Sequence, residues 1–190
     1  MAVMESKAGP RERLVRAAIA LVQEKGVEGT GLTELLARGD VARRSLYQHF
    51  PGGKDELIAA STRQVGEVTA VVIRELVGQV DAATLFELML ATIRQGVVDS
   101  DFRYSCPIAA AAYAPADSDR VRDAAGAAFA DWRGAIADVL VEEGRPADAA
   151  RGLAGFMVAT VEGALVVARA TRSTEPLDQA AVYLAELLRA

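Results

Sequence analysis

The sequence predicts an all-α fold: an N-terminal three-helix helix-turn-helix unit followed by a larger helical domain. Three observations predict it. Apolar residues make up 52% of the 190 positions and aromatics only 5%, with abundant Ala and Leu, residues that lose little side-chain freedom in a helix. Apolar positions recur at three- and four-residue spacing in one segment after another. No segment alternates with the period of two that a half-buried strand requires, and no internal repeat is visible.

The first helix is expected over Arg11 to Lys25, where Leu14, Val15, Ala18, Leu21 and Val22 share a face. Pro10 suits a first helical turn and Gly26 a stop. Thr30-Gly31 precedes a short second helix carrying Leu32, Leu35 and Leu36, broken at Gly39-Asp40. Arg43 to Phe50 is a third short helix, ended by Pro51-Gly52-Gly53. Lys54 to Val77 reads as a long fourth helix and Thr84 to Val98 as a fifth. Pro107 to Tyr113 is a short sixth, and Asp119 to Glu143 a long seventh that Gly144 ends. The eighth runs from about Pro146 to Thr171, and Leu177 to Arg189 is the last. The expected division is residues 1–63 for the helix-turn-helix unit and 64–190 for the second domain.

Composition narrows the function classes. No uninterrupted apolar run reaches the about 18 residues of a membrane span. Met1 to Arg13 is charged and lacks the apolar stretch of a signal peptide. A single cysteine, Cys106, leaves no internal disulfide, so a cytoplasmic location is expected. His49 is the only histidine, which excludes a multi-histidine metal site. No phosphate-binding glycine loop follows a strand and no nucleophile–base grouping has helpful context, so no enzyme activity, cofactor or metal is expected. The net charge of −5 is unevenly spread. Residues 1–63 hold 10 Lys/Arg against 8 Asp/Glu, and residues 64–190 hold 11 against 18. A basic N-terminal unit on an acidic body suits a nucleic-acid binder that presents one side only.

Two short helices joined by a tight turn behind a longer helix are the helix-turn-helix layout, in which the second short helix enters the major groove by its first turn. That turn is Val41-Ala42-Arg43-Arg44-Ser45. A guanidinium forks onto guanine or neutralises phosphate, and small Ala42 and Ser45 permit close approach. Leu46 points back into the three-helix core. Tyr47 and His49 pack by the ring and reach phosphate with the polar tip. Lys54, with the free N–H groups opening the fourth helix, is a natural phosphate site. The alternatives are a solvated basic pair for Arg43 and Arg44 and a core or capping imidazole for His49.

Gly26-Val27-Glu28-Gly29-Thr30-Gly31-Leu32, then Ser45-Leu46-Tyr47-Gln48-His49-Phe50, then Lys54-Asp55-Glu56-Leu57 resembles the DNA-binding segment of TetR-type regulators. Pro51-Gly52-Gly53-Lys54, with Cys106-Pro107-Ile108 further on, is similar to the LmrA/YxaF-like branch. The resemblance places the recognition-helix residues on Ala42, Arg43, Arg44, Ser45, Tyr47 and His49 and the phosphate lysine on Lys54, and Thr30 is counted with them. Two positions depart from the pattern. Asp40 stands in the turn where the family usually has Gly, and Asp tolerates the left-handed conformation better than most residues. Arg44 stands where the branch often has Gly, which implies a different operator sequence.

The resemblance implies a repressor of double-stranded operator DNA, released by a small apolar or amphipathic effector. It also implies a homodimer through the last two long helices. Ala154, Val158, Val161, Leu165 and Val166 give the eighth helix a wide apolar surface, with Gly152, Gly155 and Gly163 allowing close approach, more than a monomer leaves in water. For the effector, Phe86, Met89, Phe129 and Trp132 are candidate cavity walls and Tyr113 and Glu162 candidate polar anchors; ordinary core is the alternative for each aromatic. Glu162 lies inside an apolar helix, so it anchors a cationic ligand, bonds a backbone group, or sits at a subunit interface. Cys106 is either a buried thiol or a redox sensor. The rival function is a helical ligand-binding or scaffolding protein without DNA binding.

Overall fold

The computed structural model describes residues 8–76 and 78–189. Met1 to Lys7 of the charged N-terminal stretch, and Val77, the expected end of the fourth helix, lie outside them. The described residues form nine helices and no strand: α1 (Pro10–Gly29), α2 (Leu32–Gly39), α3 (Arg43–His49), α4 (Gly53–Glu75), α5 (Ala82–Asp99), α6 (Pro107–Ala112), α7 (Asp119–Glu142), α8 (Ala147–Thr171) and α9 (Glu175–Arg189).

Differences from the expected bounds have local causes. Gly26 does break α1, at φ 72° and ψ 179°, a conformation glycine adopts freely. A further turn then runs to Gly29. α5 starts at Ala82 because the Asp81 side chain caps it, accepting from the Thr84 N–H at 2.6 Å. That bond holds the Asp81 carboxyl below its usual range. α9 starts at Glu175, with Pro176 in its first turn.

Two cores organise the chain. Leu14, Val15, Ala18, Leu21, Leu35, Leu46, Phe50 and Leu57 hold α1, α2, α3 and the start of α4 together. The larger core joins the remaining helices and includes Val22, Val27, Ile58 and Ala59. The cores therefore meet within two helices, at the consecutive residues Leu21 and Val22 of α1 and Leu57 and Ile58 of α4. Each of these helices serves both bodies because consecutive helical residues point to different sides.

The most extensive packing of α4 is with α7, and α6 packs on both α7 and α1. The α4–α7 approach is very close at Gly66: a Cβ there would lie 2.5 Å from Ala128 Cβ. The Trp132 indole N–H donates to the Gly66 carbonyl at 3.2 Å, pinning the two helices at that level.

α8 corrects the apolar surface expected from its sequence. Ala154 and Leu165 are buried in this chain's own core, and Val158 and Val161 pack against it. The Arg133 guanidinium lies 3.4 Å from where a Gly155 Cβ would stand. The face left open carries Phe156, Gly163, Val166 and Val167, and α9 leaves Val182, Tyr183 and Leu187 exposed. α8 is apolar on both sides, so periodicity alone does not tell which side is inside. By length and composition it would also suit a membrane crossing, with a mean hydropathy of 1.6 over an 18-residue stretch. Its burial of Ala150, Ala154, Met157, Leu165 and Ala168 makes it a packed helix with one open face.

Candidate nucleic-acid interface

The turn between α2 and α3 is built by backbone bonds and one arginine. Asp40 takes the left-handed conformation, φ 47° and ψ 53°, and its N–H returns to the end of α2. The Val41 N–H donates to the Leu36 carbonyl at 3.1 Å, so orphan carbonyls of α2 find donors. Arg13 on α1 then donates to the carbonyls of Gly39 at 3.0 Å and Asp40 at 2.9 Å, and to Ala8 at 3.0 Å. Asp40 thus serves where the family usually has glycine, and Arg13 clamps the result. Its sequence signal is faint: an arginine just ahead of the first core position, Leu14, of an amphipathic helix.

From that turn α3 projects with one side anchored. Leu46 is wholly buried, and the helix ends at Phe50, also buried. Ala42, Arg43, Arg44, Tyr47, Gln48 and His49 are exposed, and Ser45 is half-buried. Arg43 and Arg44 make no ion pair among the described residues. The structure therefore brings seven of the eight DNA candidates to the α3 face and the adjoining start of α4. It adds Gln48, exposed between Tyr47 and His49.

The start of α4 is partly occupied. Gly53 has φ 71°, a left-handed backbone that glycine adopts freely, and the Tyr47 ring stands at ordinary contact distance, 3.4 Å, from where its Cβ would be. The Gly53 N–H donates to the Phe50 carbonyl. The Gly52 N–H donates to the Glu56 carboxylate at 2.6 Å, and Arg120 lies 3.8 Å from that carboxylate. Half-buried Lys54 stands beside this capped end. The phosphate site expected there is narrower than a bare helix terminus, because a carboxylate already fills part of it.

Thr30 is a correction. It has no exposed surface, and its hydroxyl donates to the Gly26 carbonyl at 2.7 Å. It closes the turn after the α1 break and presents nothing to DNA.

The six effector candidates do not converge. Phe86 is buried in the larger core and Met89 packs against it. Phe129 and Trp132 meet edge to face, centroids 5.9 Å apart at 86°. These four are packing residues. Tyr113, 84% exposed, and half-buried Glu162 do border one space, a cavity of about 410 Å³ between the end of α1, α6 and α8. None of the other four lines it. Arg169, absent from the expected anchors, does. The reasoning that singles out Glu162, a charge inside an apolar helix, extends less directly to Arg169, which stands in the last turn of α8.

Cys106 is buried beside Glu162. Burial, and then the neighbouring carboxylate, push its thiol well above the ordinary cysteine range, so the reactive thiolate is disfavoured. Burial likewise pushes the Glu162 carboxyl up, opposed by the hydrogen bond with Cys106.

The family description "Bacterial regulatory proteins, tetR family" matches residues 14–61. The description "Transcriptional regulator LmrA/YxaF-like, C-terminal domain" matches residues 82–183. An uncharacterized HTH-type transcriptional regulator of Mycobacterium tuberculosis is 36% identical over 188 residues, covering 96% of this chain and 95% of its own. The HTH-type transcriptional regulator LmrA of Bacillus subtilis is 24% identical over 181 residues, covering 94% and 96%. Among solved structures, a TetR transcriptional regulator from Legionella pneumophila superposes with a TM-score of 0.83 at 19% identity, over 96% of this chain and 99% of the other; that likeness is one of fold. A helix-turn-helix with an open arginine-bearing face, the two family matches and the full-length relatives together place this chain in the TetR family of bacterial transcriptional regulators, in its LmrA/YxaF-like branch; it is a regulator and not an enzyme.

Proposed function

We propose that the chain is a cytoplasmic homodimeric repressor whose two α3 helices read an operator and which a small apolar or amphipathic molecule releases. The observation that carries the reading is the α3 face. Arg43 and Arg44 stand free at the helix start, where a major-groove helix meets base edges and phosphates, while buried Leu46 fixes the helix on its unit. The exposed large apolar residues of α8 and α9 support the dimer, because such surface is commonly covered by a partner and a two-fold pairs like with like. The mechanism is two-state. The dimer holds its recognition helices about one turn of DNA apart, or a multiple. An effector that binds better to a wider spacing draws the population from the DNA-competent form. α4 carries the change, since it belongs to both cores.

The test is selection from a random duplex pool by the 190-residue protein. The expected product is an enriched inverted repeat with half-sites about 10 base pairs apart, or a multiple. Transcription from a promoter carrying that repeat is then expected to fall when the protein is added. A pool with no enriched sequence overturns the operator-binding reading, and undiminished transcription overturns the repressor role.

A further inference from the structure

We propose that the slot between the end of α1, α6 and α8 binds an elongated amphipathic small molecule with a hydrogen-bond donor at one end and an anionic acceptor at the other. The inference rests on the reading of the chain as a ligand-responsive regulator, and it names the place and chemistry of the effector. Among the described residues, two buried side-chain polar atoms have no hydrogen-bond partner: Glu162 Oε2 and Arg169 Nε. Native proteins leave few such atoms, and each calls for a missing partner. Both belong to residues that line the same cavity of about 410 Å³, within the size range of small-molecule sites.

Their spacing describes the ligand. Glu162 and Arg169 are two turns apart on α8, about 10 Å along its axis. Leu165 and Val166 lie between them, and Ala109 and Ala110 of α6 line the same slot. The α8 wall thus reads polar, apolar, polar. A carboxyl oxygen without a partner needs a donor, and an amine or hydroxyl supplies it. A guanidinium N–H needs an acceptor, and its planar fork suits a carboxylate or phosphate. Burial that disfavours the Glu162 carboxylate is offset by a cationic head. The last turns of α1 also border the slot, and the Ser105 hydroxyl donates to the Gln23 carbonyl there at 2.6 Å. The same α1 holds the helix-turn-helix core through Leu14 and Leu21, so an occupant presses on the helix that positions the DNA-reading unit.

The test is calorimetric titration of the 190-residue protein with 8-aminooctanoate, octanoate and octylamine. The expected result is that 8-aminooctanoate binds at least about tenfold tighter than either single-headed probe, the size of one charge-assisted hydrogen bond. Glu162→Gln should remove its advantage over octanoate, and Arg169→Met its advantage over octylamine, in variants with unchanged circular dichroism. The absence of heat with all three probes overturns the site, as does equal binding by both variants. Variants that shift only dimer dissociation also overturn it, assigning the two atoms to the partner copy. With labelled operator, 8-aminooctanoate should weaken DNA binding by the wild type and not by the variants. Binding without release overturns the effector role, whereas failure of the unliganded protein to bind any operator refutes the regulatory reading independently of the slot.

Discussion

Replacing Gly66 with alanine tests how closely α4 and α7 are packed, and with it the rigidity of one of the two helices that join the cores. A Cβ on Gly66 would lie 2.5 Å from Ala128 Cβ and 2.9 Å from Ala128 Cα, against an optimum of about 3.5–4.0 Å between carbons. Neither neighbour has a rotamer to yield, so the helices must part by about 1 Å. Overpacking of this kind costs about 1–3 kcal/mol, and alanine recovers about 1 kcal/mol over glycine in a helix. The net loss reaches about 2 kcal/mol, or about 4–8 °C in Tm for a chain of this size. The same displacement pulls the Gly66 carbonyl from the Trp132 indole, so the emission of the single tryptophan should shift to the red. Gly126→Ala is the control. It lies on exposed α7 surface with open space at its Cβ, and it should raise Tm by about 2 °C through propensity alone. Differential scanning calorimetry and tryptophan emission read both effects. Gly66→Ala with a Tm at or above wild type, and unshifted emission, refutes the close packing.

Arg13→Ala removes two bonds to backbone carbonyls at the turn before α3 and one to Ala8 ahead of α1; a loss of about 1–3 kcal/mol in chemical denaturation is expected, with a larger loss of operator affinity than Arg16→Ala, whose ion pair with Glu12 is exposed. Phe156→Glu with Val167→Glu, both on the open face of α8, should convert dimer to monomer in sedimentation velocity while leaving the helical content unchanged. Glu162→Gln should stabilise the protein increasingly as pH rises. Burial raises the folded-state pKa of Glu162 above 4.5, so the folded chain keeps a proton that the unfolded chain releases, and wild-type stability falls from about that pH upward. The variant's advantage in Tm should be small at pH 5 and larger at pH 8; a constant difference contradicts the buried, proton-retaining carboxyl.

The helices are legible in the sequence because most carry an amphipathic stripe and end at a glycine or proline. The face proposed to read DNA is legible because Leu46 is the one wholly buried residue of a helix too short to bury two sides. What is not legible depends on contacts distant in sequence. Thr30 looks polar and available, yet the break at Gly26 brings a carbonyl to its hydroxyl. The aromatics of the second domain look like cavity walls, yet Trp132 is committed to Gly66, sixty-six residues away, and Phe86 to the core. The space that remains is lined by small residues, Ala109 and Ala110, beside the end of α1. An alanine pair gives no sign of a cavity until the helix opposite is in place. On α8 the ambiguity is of another kind, since two apolar faces carry the same periodicity and only the fold says which one meets its own chain.

The most direct measurement is the salt dependence of binding to the selected operator, by fluorescence anisotropy, for the wild type and for Arg43→Ala/Arg44→Ala. Each phosphate contact contributes about 0.9 to the slope of log affinity against log salt, and each bidentate base contact about 1–3 kcal/mol of discrimination. The expected result is an operator affinity at least about tenfold weaker in the double variant. A shallower salt slope is expected to the extent that the arginines meet phosphate, and relaxed sequence preference to the extent that they meet bases. A folded double variant that binds the operator with unchanged affinity, slope and preference contradicts the assignment of the α3 face to DNA.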